Sequence, residues 1–156
     1  PRFPATAGWL CHVERRPRPG ARDGRGRDRC APAAQAAQRA RGILEETGFA
    51  AGRIEAVYAA IRAHMPGAED EAVSLETKLL HDANLLDCLG AVGFARLSIS
   101  AYAWHHFSTI EQLAEFLSLW RGHAERFYFP VSREMAGERI DFLDRAIAQL
   151  TRECSL

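Results

Sequence analysis

Residues 61–96 read IRAHMPGAEDEAVSLETKLLHDANLLDCLGAVGFAR, and two breaks in that stretch decide the architecture. Pro66-Gly67 ends one helix, because proline lacks the amide donor and glycine is a poor helix former. Gly90 closes the next, which is expected from about Glu71 to Leu89. Before the first break, Ile54, Val57, Ile61 and His64 recur at helical spacing on a helix starting near Gly52. Further upstream an Ala-rich helix, AAQAAQRARGILEET from Ala33, stops at Gly48 in a C′ position.

Downstream, AVGFARLSISAYAW is a short apolar segment without a clear period. Thr109-Ile110-Glu111-Gln112 is a capping-box sequence opening a helix to about Arg121, with Leu113, Phe116, Leu117 and Trp120 as its stripe. Ser132 caps a last, long helix to about Glu153, striped by Ala136, Ile140, Leu143, Ile147 and Leu150. No segment alternates with period two long enough to claim a strand. The expected class is all-α, a single domain over residues 1–156 with five or six helices.

The 156 residues are 47% hydrophobic and 26% charged, which excludes wholesale disorder. No apolar run reaches the ~20 residues of a membrane span. Formal net charge is +0, which argues against nucleic acid as the default partner. The charge is divided: residues 1–41 carry ten Arg against three acids, and residues 42–156 carry ten bases against seventeen acids. Segment 14–32, ERRPRPGARDGRGRDRCAP, cannot hold a helix and is expected as an exposed basic loop. Its arginines suit phosphate, but no aromatic residue is interleaved for base stacking. Cys11, Cys30, Cys88 and Cys154 lack C-x-x-C spacing and are expected as free thiols of a cytoplasmic protein. A start at Pro1-Arg2-Phe3-Pro4, without Met or a leader-like apolar stretch, suggests a fragment of a longer chain.

One acidic residue stands out. Leu79, Asp82, Leu86 and Leu89 all fall within about 40° of Leu75 at ~100° per residue, which puts Asp82 on an apolar stripe. A buried carboxylate must be paired or metal-bound. Asp82 is therefore a helix cap, a partner for a buried Arg, a metal ligand or a catalytic carboxylate. His64, at the end of its own stripe, is either a satisfied core histidine or a second ligand. Inward-facing His and Asp on consecutive helices are the usual material of helical metal sites.

The same stretch resembles the HD-domain metal-dependent phosphohydrolases. The resemblance rests on Ile61 to His64, on Ser74 to Glu76, and on the block Asp82 to Arg96, which is similar to D-A-D-x-L-D-x-L-G-A-x-G-x-A-R. The tail is similar to that family's last helix, with R-x-x-A-x-x-R at Arg133, Ala136 and Arg139. Upstream, Ala7 to Val13 resembles the segment that carries the family's His-Asp pair. The resemblance implies hydrolysis of a small phosphorylated substrate, a nucleotide in the first instance, with a divalent metal (Mn, Mg, Fe, Ni or Co) activating water. It matches His12 to a metal ligand, and with His64 and Asp82 from their stripes the candidate ligand set is His12, His64 and Asp82. It also implies Arg96 as the cationic helper, with Arg121 or Arg126 as further helpers, each equally a structural salt-bridge partner, and Asp87 as a brace or a cap for a neighbour. His105-His106 is expected at the surface or in a lid.

The departures predict a crippled site. The family's first His would lie upstream of Pro1, the Asp after His12 is replaced by Val13, and the second Asp of the D-A-D block is Asn84. The family pattern would place the ligand at position 84, whereas the helical wheel prefers Asp82. The His81-Asp82 dipeptide sits too late in the chain to be the family's pair. Little hydrolysis is expected, and a non-catalytic interaction or regulatory module is the alternative. A homodimer covering apolar surface is a third expectation.

Overall fold

The computed structural model describes residues 31–66, 74–103 and 105–154. The loop expected over 14–32 lies outside the described residues up to residue 30, as do His12 and Val13, and its last two residues, 31 and 32, belong to the first helix. The described chain is all-α: α1 (Ala31–Glu46), α2 (Ala51–Ala63), α3 (Leu75–Asp87), α4 (Gly90–Ala103), α5 (Ile110–His123), a 3-10 turn (Ala124–Arg126) and α6 (Pro130–Cys154), with no strand among the described residues. No single helix there is long and apolar enough to cross a membrane. The chain divides into two compact units, Pro1–Leu80 and His81–Leu156, and the boundary falls inside α3.

In the first unit α1 packs on α2. The turn between them follows from Gly48, whose φ of 70° suits a residue without Cβ. Its N–H donates to Glu45 O at 3.2 Å, and Phe49 N–H donates to Leu44 O at 2.9 Å. These two bonds are the Schellman arrangement that satisfies the last carbonyls of α1. Ala33 and Ala37 of α1 and Ile54, Ala60 and Ala63 of α2 are buried. Arg41 of α1 pairs with Glu55 and lies over the Tyr58 ring, 3.9 Å from its centroid.

In the second unit α4, α5 and α6 pack on one another. Thr109 and Gln112 form the expected capping box, each side chain bonded to the other's backbone N–H. Phe116, Leu117 and Trp120 of α5 are buried, with Ala136 and Leu143 of α6 and Leu97 of α4. Phe94 of α4 meets Phe142 of α6 edge-on, centroids 6.4 Å apart.

Four expectations change. Residues 91–103 of the apolar segment are helix: α4 is apolar nearly all round, so it carried no period to read. α6 begins at Pro130 rather than after a Ser132 cap, with proline at the first helical position, where its missing donor costs nothing. α3 begins at Leu75, and Ser74 Oγ accepts the Thr77 N–H at 3.1 Å at its start; residues 71–73 lie outside the described residues. Most consequentially, the Leu75–Leu79 stripe of α3 is exposed, at 61% and 52%. The buried face of α3 is instead Thr77, His81, Asp82 and Leu85, continued past its end by Cys88 and Leu89, roughly a quarter turn away from the stripe. Asp82 lies at the edge shared by both faces and is buried on either count.

Candidate functional site

The block 82–96 builds a corner between α3 and α4, and α6 closes on it. Asp82 is 2% exposed. Its Oδ1 accepts the Tyr128 N–H at 2.9 Å, and its Oδ2 accepts the Phe129 N–H at 3.0 Å. Phe129 in turn presents its carbonyl to the N–H groups of Ser132 and Arg133, at 3.1 and 3.3 Å, as the residue leading into α6. Phenylalanine has no side-chain oxygen to cap a helix, and Asp82, from a different helix, anchors the two backbone amides just before it. The carboxylate lies at the positive end of α6, where negative charge is favoured.

The opposite end of α3 is treated in the same way. Arg139 of α6 donates from Nη1 to Leu86 O at 2.8 Å, so a cation satisfies a last-turn carbonyl of α3. Arg133 donates from Nη2 to Phe127 O at 2.8 Å. Between these arginines Ala136 is fully buried. The R-x-x-A-x-x-R pattern therefore places two backbone clamps on either side of a small packing residue.

The glycines of the block are steric requirements. Gly90 has φ 72°, and a Cβ there would lie 3.2 Å from Arg139 Cβ and Cγ. A Cβ on Gly93 would lie 2.2 Å from the Cys88 carbonyl carbon, closer than any real contact. Cys88 itself is buried, and burial pushes its thiol up to about 12. A thiol so far from ionisation is a poor nucleophile and a poor ligand.

The two residues assigned catalytic work are brought together, with each other: Arg96 and Asp87 form an ion pair across the corner, their side chains 43% and 53% exposed. Arg121, another proposed helper, grips Asp144 of α6 through Nε and Nη2 at 2.9 and 3.1 Å. That hydrogen bond raises the arginine's affinity for its proton. Asn84 is half-buried on α3.

His64 belongs to the first unit, is buried, and bonds through Nδ1 to the Ile61 carbonyl. A carbonyl can only accept, so Nδ1 carries the proton. Burial lowers the His64 pKa below its ordinary value, and the bond to Ile61 opposes that shift. His81 is fully buried and sets its ring edge-on to Tyr128, centroids 5.1 Å apart. His105 is half-buried rather than a surface residue, packed 4.9 Å from Phe116 and 5.5 Å from Phe107. His106 is exposed with φ 56°, a conformation histidine tolerates better than most residues. Among the described residues no three His, Cys, Asp or Glu side chains gather as a metal site; His12 is not among them.

Sequence reasoning missed the roles of Arg139 and of the Tyr128 and Phe129 amides. The signal that could have found them is the pairing of a buried Asp with a helix start that lacks its own capping oxygen. No protein-family model matches the chain, and no curated protein or solved structure is found similar to it.

Proposed function

We propose that this chain is a non-catalytic, HD-like helical module that works by interaction or regulation. The observation that carries this reading is Asp82. Both of its oxygens accept backbone N–H groups at the start of α6, which accounts for a buried carboxylate without a metal. The Asp87–Arg96 pair is likewise accounted for as an exposed surface bridge.

The second reading is the HD-type phosphohydrolase with an incomplete site, acting on a nucleotide with a divalent metal. It is favoured by two buried polar residues, His64 and Asp82, within the stretch that resembles that family. Its ligands would be His12, His64 and Asp82, and Val13 would remove a carboxylate from that set.

Manganese titration followed by calorimetry, with a nucleotide panel assayed in parallel, separates the two. The interaction reading expects no saturable metal binding and no turnover. It also expects Asp82→Asn to lower stability without altering metal affinity. Turnover abolished by a chelator, and lost in Asp82→Asn at unchanged fold, would establish the hydrolase instead.

A further inference from the structure

We infer that the outward face of α4 is a self-association surface on which a second copy of this chain docks. Val92, Ile99 and Tyr102 are 65%, 68% and 79% exposed. At ~100° per residue they fall within about 80° of one another, with Ala95 between them, and so form one stripe along the helix. The opposite face, Gly93, Leu97, Ser100 and Ala101, is buried in the unit.

The face is unusual for its charge as well as its exposure. α4 carries a single charged side chain, Arg96, and Asp87 pairs with it. The exposed apolar residues of α6 differ: Val131 and Met135 are interleaved with Arg133 and Glu134, as on an ordinary solvated surface. A partner recognised by charge would find nothing to read on α4. A two-fold interface sets a surface against its own image, so each charge meets a like charge near the axis. A face whose one cation is already cancelled meets no such repulsion.

The area is sufficient. Val92, Ile99 and Tyr102 expose on the order of 450 Å², and the exposed Ala91, Ala95, Ala103 and the stem of Arg96 bring the face to roughly 700 Å², near the ~800 Å² per partner of a standard interface. Apolar patches on monomers usually stop at about 300–600 Å².

Sedimentation velocity on the full chain, from about 1 to 200 μM, tests the proposal. Ile99→Glu and Tyr102→Glu place a carboxylate on the stripe at already exposed positions, and Met135→Glu is the control on α6. Circular dichroism confirms that each variant is helical. The parent chain is expected to move from monomer to dimer across the range. Either α4 variant should weaken association at least tenfold, while Met135→Glu behaves as the parent. A parent that stays monomeric, a dimer indifferent to both α4 variants, or open-ended aggregation would overturn it. The readout is mass, so it is separate from the question of hydrolysis.

Discussion

Asp82 and Arg139 cap each other's helix. Asp82, on α3, receives the amides that lead into α6, and Arg139, on α6, donates to the Leu86 carbonyl near the end of α3. A negative group thus meets the positive end of one helix, and a positive group meets the negative end of the other.

Removing the buried member is expected to be costly. Asp82→Ala leaves two amides unmatched in the interior and should destabilise the second unit by about 3 kcal/mol. Asp82→Asn keeps one acceptor but turns a donor toward an amide, for about 2 kcal/mol. Urea denaturation followed by circular dichroism measures both. An Asp82→Ala variant as stable as the parent would refute the capping role.

Arg139→Ala removes a single charge-assisted bond from an exposed side chain. The expected loss is about 1 kcal/mol, well below that of Asp82→Ala. Equal losses for the two would show that burial does not set the difference.

Glycine replacements rank differently. Gly93→Ala drives a methyl into the Cys88 carbonyl and should cost more than about 3 kcal/mol, because backbone must move. Gly90→Ala meets a flexible Arg139 stem and a left-handed φ, for about 1–2 kcal/mol. Thermal melts of the two variants check the order.

Acid should weaken the first unit. The folded pKa of His64 lies below its unfolded value, so the unfolded chain binds the proton more readily. That contribution is intact above about pH 6.5 and is lost as pH falls toward the folded pKa, with a slope of at most ~1.4 kcal/mol per pH unit. His64→Gln should flatten that slope in denaturation midpoints between about pH 5 and 7. An unchanged slope would assign the acid sensitivity to another group.

Cys88 should resist alkylation in the folded chain at neutral pH, because its thiol is pushed up to about 12 and buried. Mass spectrometry after iodoacetamide, with and without urea, should find it modified only when unfolded. Rapid labelling of the native chain at Cys88 would show that the α3–α4 corner opens readily.

Local signals were legible in the sequence. Gly48 ends α1, the Thr109–Gln112 box opens α5, and Phe116, Leu117 and Trp120 are buried as their spacing required. These features are decided within a turn or two of helix. What failed was the facing of α3, where Leu75 and Leu79 promised a core that Thr77 and His81 occupy. A helical wheel reports which residues share a face but not which face meets a neighbour. The burial of Asp82 was legible, but its partners were not, because Tyr128 and Phe129 lie on the far side of α4 and α5. For Asp87 and Arg96 the sequence offered a role by resemblance with a salt bridge as the alternative, and the structure pairs the two at the surface.

The bond from Asp82 to Tyr128 has a consequence during synthesis, since its partners are 46 residues apart. At a translation rate of about 5–20 residues per second, the acceptor waits roughly two to nine seconds for its amide to be made. Throughout that interval α3 carries an unmatched carboxylate beside Leu85 and Leu89 and cannot settle into a dry core. The second unit therefore closes late, when α6 has left the ribosome. Chains stopped before residue 128 should be recognised as unfinished by proteases that the complete chain escapes.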